Sequence, residues 1–180
     1  MYYVDMLPPL NSLGNKICII GCSSTGKSTL ADRLSKQLGL PVTHLDFLAH
    51  ETGSNWVRRP NDQLILAHQK ILQEPGWIIE GNYSVTMKER FEAATSVIWL
   101  DSNRFTAVLR YCIRSFKNDL QRIGRLPGAK AEWKAFMFKQ ILWVYPKNRQ
   151  KYEKILQQYP HLLVVKLRGM KAVRKAWVPN

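Results

Sequence analysis

The sequence predicts an α/β protein in which helices cover both faces of a five-stranded parallel sheet. Two observations predict this class. Short apolar runs of strand length alternate along the chain with segments in which apolar residues recur at helical spacing. A glycine-rich segment, GCSSTGKS (residues 21–28), separates the first apolar run from the first helical segment. A phosphate-binding loop occupies this position between a strand and a helix.

Length and composition point to one globular domain over residues 1–180. The chain has 180 residues, of which 46% are hydrophobic, and this fraction excludes a disordered chain. No apolar run approaches the ~20 residues of a membrane span, so we expect no membrane partner. The start, MYYVDMLPPLNSLGNK, lacks the pattern of a secretory signal, and we expect an irregular lead-in there. Together these features predict a cytoplasmic protein.

Of the composition totals, the net charge says most about possible partners. The 27 lysines and arginines against 13 acidic residues give a formal net charge of +14. Such an excess indicates polyanionic partners, either nucleotides or nucleic acid. The alternative is a basic protein with scattered, solvated lysines, although the basic residues concentrate after Arg104. The three cysteines, Cys18, Cys22 and Cys112, are expected to be reduced thiols.

Strands and helices follow in order along the chain. The predicted strands are KICII (16–20), PVTHLD (41–46), WIIE (77–80), SVIWLD (96–101) and HLLVVKL (161–167). Helices are predicted over 27–38, from 61 to before Pro75, 86–93, from 104 to about 118, from 132 to near Pro146, 148–158, and after the last strand. The stretch QRIGRLPGAK has two glycines and a proline, which is typical of a loop.

The glycine-rich segment has the residues that polyphosphate binding needs. Its backbone N–H groups and the N-terminus of the next helix attract phosphate oxygens. Lys27 would reach the β- and γ-phosphates, and the Ser28 hydroxyl would bind Mg²⁺. Gly21 and Gly26 allow close backbone approach.

Two acidic residues lie where parallel strands end, which is where ligands gather in such sheets. Asp46 ends the second strand and Glu80 ends the third. Either carboxylate could serve a magnesium site directly or through water. The alternative is that each caps a loop.

Three segments together resemble a known group. GCSSTGKSTLADRLSKQLGLPVTHLD, GWIIEGNYS, and VIWLD with arginines behind it resemble the adenylate-kinase-like P-loop NTPases called DNA topology modulation proteins (FlaR-like). That family lies within the nucleoside monophosphate kinase and shikimate kinase class. The resemblance covers about residues 16–170. It implies strand order 2-3-1-4-5, a small helical lid at about 118–130, and ATP and Mg²⁺ as cofactors.

The resemblance also implies roles for individual residues. Asp46 would lie beside the metal and the acceptor, and Glu80 matches the acid of the turn after the third strand. Arg110 would stack on the base and Arg114 would contact the phosphates, which suits guanidinium groups four residues apart on one helix face. The implied ATP-binding set is Gly21, Ser23, Ser24, Thr25, Gly26, Lys27, Ser28, Thr29 and Arg110. The implied catalytic set is Lys27, Asp46 and Arg114, and the implied metal set is Ser28, Asp46 and Glu80.

The acceptor side departs from the adenylate kinase pattern, because no arginine follows the turn Glu80-Gly81-Asn82-Tyr83-Ser84. Arg58, Arg59 or Arg90 could replace it, or the acceptor is not a mononucleotide. The acceptor-binding set is therefore Asp46, Arg58, Glu80, Gly81, Asn82 and Arg90. The lid region has no cysteines, so it carries no zinc, but it offers Arg122, Arg125 and Lys130.

An aromatic stretch follows the lid. EWKAFMFKQILWVYPKNRQKY places aromatic residues among basic ones, and one interpretation is stacking on nucleic acid bases. The favoured interpretation is a helix that packs one face inward at a spacing of three and four. That face would consist of Trp133, Phe136, Met137, Gln140, Ile141 and Val144. Trp56, Trp77 and Trp99 are also interpreted as structural.

These features favour a kinase that transfers the γ-phosphoryl group of ATP to a small-molecule or nucleotide acceptor. The alternative is an ATP-dependent DNA- or RNA-associated protein that binds nucleic acid weakly and without sequence preference. A polynucleotide-end kinase would combine the two. Switch GTPases are disfavoured, because the sequence has neither NKxD nor DxxG after a strand.

Overall fold

A six-stranded parallel sheet forms the centre of the fold. The computed structural model describes residues 2–4, 7–117, 123–128 and 135–178. Its strands are β1 (Tyr2–Val4), β2 (Lys16–Gly21), β3 (Val42–His44), β4 (Trp77–Glu80), β5 (Ser96–Asp101) and β6 (Leu163–Arg168). All pairings are parallel, in the order β1-β6-β5-β2-β4-β3. The five predicted strands therefore occur in the predicted order 2-3-1-4-5, which is confirmed.

The additional strand β1 corrects the prediction of an irregular lead-in. Tyr2–Val4 pairs in parallel with Leu163 to Val165 of β6, and the prolines of the lead-in follow this strand. Without β1, the outer edge of β6 would present unpaired backbone groups. The pairing joins segments about 160 positions apart, so no local pattern predicts it.

Helices cover both faces of the sheet. They are α1 (Lys27–Leu38), α2 (Leu45–Ala49), α3 (Asn61–Leu72), α4 (Met87–Ala93), α5 (Arg104–Lys117), α6 (Ala135–Lys139), α7 (Tyr145–Leu156) and α8 (Gly169–Lys175). Alternate residues of β2 enter two separate cores, as the strand period of two requires. Ile17 and Ile19 pack with Leu30 of α1, whereas Cys18 and Ile20 pack in the core that contains Phe91 of α4.

One helical segment runs through Pro146, which corrects the predicted break there. A π-helical turn, Gln140–Val144, joins α6 to α7 without interruption. Proline has no N–H to donate to the carbonyl four residues earlier, which is that of Leu142. A guanidinium nitrogen (Nη1) of Arg104 donates to this carbonyl at 3.4 Å. The freed acceptor is thus satisfied from a neighbouring helix, and the helix continues.

The aromatic stretch packs differently from the predicted inward face. Ile141 is fully buried as predicted, but Phe136 is 61% exposed, so its inward assignment is wrong. The π turn that contains Ile141 widens the helix and shifts the face that meets the core. Tyr145 and Tyr152 are buried instead, and Trp133 lies outside the described residues. Trp77 and Trp99 are fully buried, as expected of structural residues. Within the described ranges, no helix is both long and apolar enough to span a bilayer.

Candidate functional site

The glycine-rich loop joins β2 to α1 at the carboxyl edge of the sheet. A Cβ on Gly21 would lie 2.5 Å from the Leu100 carbonyl oxygen of β5, and Gly21 has φ +146°. Only glycine is compatible with this approach. The side-chain amide of Asn82 holds the same residue: it accepts from Gly21 N at 3.1 Å and donates to Gly21 O at 2.6 Å. Asn82, predicted to bind the acceptor, therefore anchors the start of the loop.

Within the loop, two side chains converge on one carbonyl oxygen. Lys27 Nζ and Thr25 Oγ1 donate to Cys22 O at 3.0 and 2.8 Å. Ser24 has φ +63°, a left-handed conformation that is uncommon for a residue with a Cβ. Arg110 Nε donates to Ser24 O at 2.7 Å. Ser23 is half-buried and Thr29 is exposed.

Glu80 is the centre of the site. Its Oε1 accepts a hydrogen bond from Ser28 Oγ at 3.0 Å and lies 2.9 Å from Nδ1 of His44. The Glu80 side chain is almost wholly buried, and burial alone would raise its pKa. The His44 and Ser28 contacts and the charge of Lys27 outweigh burial, so the pKa of Glu80 lies below its ordinary value. A carboxylate is therefore held ionised beside the phosphate loop.

Ser28 and Glu80 fit a magnesium ion. Both present oxygen atoms, one from a hydroxyl and one from an ionised carboxylate, which are the ligands that Mg²⁺ prefers. No group of three or more His, Cys, Asp or Glu side chains within the described ranges could hold a metal by itself. Mg²⁺ usually completes its shell with phosphate oxygens and water.

Asp46 belongs to a second cluster on the acceptor side. Its Oδ1 accepts a 2.6 Å hydrogen bond from the hydroxyl of Tyr83. Burial and the charge of Asp46 raise the pKa of Tyr83, so the phenol keeps its proton. The Arg58 guanidinium carbon lies 5.9 Å from the centre of the Tyr83 ring. His50 Nδ1 lies 2.9 Å from the Asp46 carbonyl oxygen, and its ring contacts Trp56 edge-on.

Arg90 lies behind the site and does not face it. The side chain is fully buried, and its Nη1 donates to Gly81 O at 3.2 Å. Burial lowers the pKa of Arg90, while Cys18, Tyr152 and Glu80 oppose that shift. The buried Arg90 side chain thus stabilises the turn at Gly81 from the protein interior. Of the acceptor-side arginines predicted, Arg58 is exposed and Arg59 is half-buried.

Arg110 and Arg114, both on α5, occupy different places. Arg110 contacts the phosphate loop directly through Ser24. The Arg114 guanidinium carbon lies 5.3 Å from the ring centre of Tyr111, a fully buried residue of the same helix.

The described part of the predicted lid, residues 123–128, lies over the site. A Cβ on Gly124 would overlap Ser28 Oγ, so the backbone of Gly124 packs directly against that hydroxyl. Leu126 is fully buried, and Gly53 N donates to Pro127 O at 3.1 Å. This segment therefore bridges the phosphate loop and the acceptor-side loop. The remaining predicted lid residues, among them Arg122 and Lys130, lie outside the described residues.

Two residues of the site were not among those predicted from the sequence. His44 is the last residue of β3, and Asp46, predicted to end this strand, lies instead in α2. Tyr83 lies in the turn after Glu80. The rule that strand ends line the site, which identified Asp46 and Glu80, applies equally to His44. Tyr83 has no comparable local signal, because its importance comes from its contact with Asp46.

One protein-family model matches the part of the chain that contains most of this site. Residues 16–109 match the model of a protein family described as an AAA domain. This range covers 94 of the 180 residues, more than half of the chain. The chain belongs to this AAA-domain family. The AAA domain match includes the phosphate loop, His44, Asp46 and Glu80, and it ends immediately before Arg110.

Two solved structures are similar to this chain. A shikimate kinase from Bacteroides thetaiotaomicron is similar, with a TM-score of 0.53 and 13% sequence identity over 88% of this chain and 94% of that one. A gluconokinase from Sinorhizobium meliloti 1021 gives a TM-score of 0.46 and 13% identity over 81% of this chain and 98% of that one. At such identity the likeness to the shikimate kinase shows a shared P-loop fold. No curated protein matches the chain significantly.

Proposed function

We propose that this chain transfers the γ-phosphoryl group of ATP to a hydroxyl group of a small-molecule or nucleotide acceptor. The observation that carries the proposal is the position of Glu80. Its Oε1 contacts both Ser28 of the phosphate loop and His44 at the end of β3. A phosphate loop with an ionised carboxylate beside it is the arrangement that metal-assisted phosphoryl transfer uses. The shared fold with a shikimate kinase supports the same class of reaction.

On the nucleotide side, the loop N–H groups and Lys27 would bind the β- and γ-phosphates. Ser28 and Glu80 would hold Mg²⁺, which neutralises charge on the transferred group when bound. Lys27 is close enough to Glu80 to lower its pKa, so its charge acts on the same small region.

On the acceptor side, Asp46 would orient the attacking hydroxyl. The Tyr83 hydroxyl occupies Oδ1 of Asp46, and Oδ2 would accept the proton of the acceptor hydroxyl. A new bond would form between the acceptor oxygen and the γ-phosphorus, while the bond from that phosphorus to the β–γ bridging oxygen breaks. ADP is the leaving group, and exposed Arg58 would contact an anionic part of the acceptor.

Residues 123–128 would exclude water from this reaction. Their contacts with Ser28 and with Gly53 span both halves of the site. Water at the γ-phosphate would hydrolyse ATP without transfer, so a cover over both halves favours the acceptor. The positive charge of Arg114 would stabilise the phosphoryl group in the transition state of its transfer.

Three finer assignments stay predictions. They are membership of the FlaR-like family, a cytoplasmic location, and a role with DNA or RNA. The net charge of +14 is the observation that favours a nucleic acid partner, or a polynucleotide end as the acceptor.

The proposal is tested by an ATP-turnover screen. The basal rate is compared with rates in the presence of nucleosides, mononucleotides, shikimate-like alcohols and oligonucleotide 5′ ends. We expect one class to stimulate ADP production and to yield a phosphorylated product. Lys27→Ala should raise the activation free energy of turnover by the ~2.7–4 kcal/mol typical of a charge that stabilises the transition state. Its fold should stay intact.

Lys36→Ala is the matched control. Lys36 lies on the same helix as Lys27, but it is exposed and pairs with Asp32 at 2.9 Å. It should turn over ATP at the parental rate. Parental turnover by Lys27→Ala would show that the phosphate loop does no chemistry. ATP hydrolysis that no acceptor class redirects would reject the kinase in favour of an ATPase.

A further inference from the structure

The outward face of α5 is apolar. Phe105, Leu109, Ile113 and Phe116 are 64%, 61%, 47% and 79% exposed. Their spacing of four, four and three residues places them in one stripe along the helix. The opposite side of α5 faces the protein, where Ala107 and Tyr111 are fully buried. A surface helix ordinarily has the reverse pattern, with polar residues outward.

The helical segment formed by α6, the π turn and α7 lies beside α5 and extends this surface. It runs antiparallel to α5, because Arg104 contacts Leu142 whereas Tyr111, further along α5, contacts Phe138 at 5.5 Å between ring centres. Two of its large apolar side chains are also 61% exposed. We call the resulting surface the two-helix face, and its members are Phe105, Leu109, Ile113, Phe116, Phe136 and Trp143.

The two-helix face brings six large exposed apolar side chains to two neighbouring helices, whereas exposed apolar residues on ordinary surfaces are scattered singly. Four of the six are aromatic. Contiguous apolar patches beyond a few hundred Å² are typical of interaction sites. Interfaces are enriched in aromatic residues in the same way.

The helices that form this face are rich in basic residues. Residues 102–117 and 135–152 contain no aspartate or glutamate, and the acids that flank them, Asp101 and Glu153, are already paired with Arg149 and Lys166 at 2.9 and 2.8 Å. The two ranges contain eight basic residues: Arg104, Arg110, Arg114, Lys117, Lys139, Lys147, Arg149 and Lys151. A second copy of the chain would bring like charges together, which disfavours self-association. The complementary partner is acidic.

We propose that the two-helix face binds an amphipathic helix of another protein, one with acidic side chains beside its apolar stripe. Spacing of three and four residues is the spacing of a helix-packing seam. Leu109 and Ile113 occupy the middle of the stripe, where aliphatic groups suit apolar side chains better than stacked bases. The inner side of α5 contacts the phosphate loop through Arg110, so a bound helix would lie on the back of an element of the site.

A synthetic peptide tests this proposal with the full chain. The peptide is helical, carries leucines at alternating spacings of three and four, and has glutamates on the flanking positions. A scrambled peptide of the same composition lacks the stripe. Fluorescence anisotropy measures affinity at two salt concentrations. We expect the striped peptide to bind with micromolar Kd, more weakly at high salt, and the scrambled peptide not to bind.

Variants locate the binding surface. Leu109→Ser should weaken binding by on the order of fivefold or more. Leu66→Ser is the matched control, because Leu66 is 59% exposed but lies on α3, which is not one of the helices of the two-helix face. It should bind like the parent. Circular dichroism checks the fold of both, and Phe116→Ser, at a 79% exposed position, replaces Leu109→Ser if that variant unfolds.

Several outcomes would overturn the proposal. One is the absence of peptide binding by the parent; another is an equal effect of the Leu66 and Leu109 substitutions. Phosphatidylserine vesicles and a single-stranded oligonucleotide are tested in parallel. Leu109-dependent binding to either one, without peptide binding, would assign the face to lipid or nucleic acid. A dimer in light scattering that Leu109→Ser dissociates would assign it to a second copy.

Discussion

Arg110 Nε donates a 2.7 Å hydrogen bond to the carbonyl oxygen of Ser24, a residue 86 positions earlier in the chain. This contact ties α5 to the phosphate loop at its left-handed residue, Ser24 with φ +63°. Such a conformation costs on the order of 1–3 kcal/mol in a residue with a Cβ, so it persists where surrounding contacts stabilise it. Arg110 thus holds the loop shape in addition to its proposed contact with the base.

Arg110→Ala is expected to weaken ATP binding about tenfold. Hydrogen bonds from charged groups contribute ~1.5–3 kcal/mol, and 1.4 kcal/mol is a factor of ten. Equilibrium titration with a fluorescent ATP analogue measures the change. Arg104→Ala is the control on the same helix, because Arg104 donates to Leu142 instead of the loop. Equal affinities for the parent and Arg110→Ala would show that the loop keeps its shape without this contact.

Tyr83→Phe is expected to lower the turnover rate about tenfold while leaving ATP affinity unchanged. The substitution removes the 2.6 Å hydrogen bond to Asp46 and keeps the ring beneath Arg58. A hydrogen bond to a charged group is worth ~1.5–3 kcal/mol, and Asp46 is proposed to act on the acceptor and not on ATP. Tyr159→Phe, whose ring packs edge-on against Phe91, is the control. A change in ATP affinity with turnover intact would contradict the assigned role of Asp46.

Gly124→Ala is expected to loosen residues 123–128, because the new Cβ would overlap Ser28 Oγ. Trypsin cleavage after Arg125, identified by mass spectrometry, should become several-fold faster. Gly39→Ala separates this contact from backbone strain. Gly39 has φ +67°, close to the +75° of Gly124, but its Cβ would meet nothing within 4 Å. If both variants were cleaved at the parental rate, the contact with Ser28 would not be what holds the segment.

His68→Leu is expected to flatten the pH dependence of stability below neutral pH. His68 is fully buried; burial first, and the charge of Arg90 second, lower its pKa from 6.5 to about 4. Below pH 6.5 the imidazole of His68 therefore binds a proton in the unfolded chain but stays neutral in the folded chain. The free energy of unfolding falls as the pH drops. Between pH 7 and pH 5 this loss is ~2 kcal/mol. Urea unfolding at both pH values measures it, and an identical loss in His68→Leu would assign the dependence to other groups.

Features encoded in a few consecutive residues could be predicted from the sequence. Short apolar runs predicted five of the strands, helical spacing predicted most helices, and GCSSTGKS predicted the loop between β2 and α1. These predictions succeed because strand and helix periods, and the backbone geometry of glycine, act within one segment. The end of a strand likewise located Glu80, whereas Asp46 lies in α2, two residues beyond the end of β3.

The contacts that build the site join residues far apart in the chain. Ser28 meets Glu80 across 52 positions, and Tyr83 meets Asp46 across 37. Arg90, one of three arginines considered for the acceptor, is fully buried and donates to the Gly81 carbonyl oxygen. Helix packing also decided that the chain stays helical at Pro146 and that Phe136 faces outward. Strand order and helix packing bring these atoms together, and such distant pairings depend on the whole core, so no local pattern specifies them.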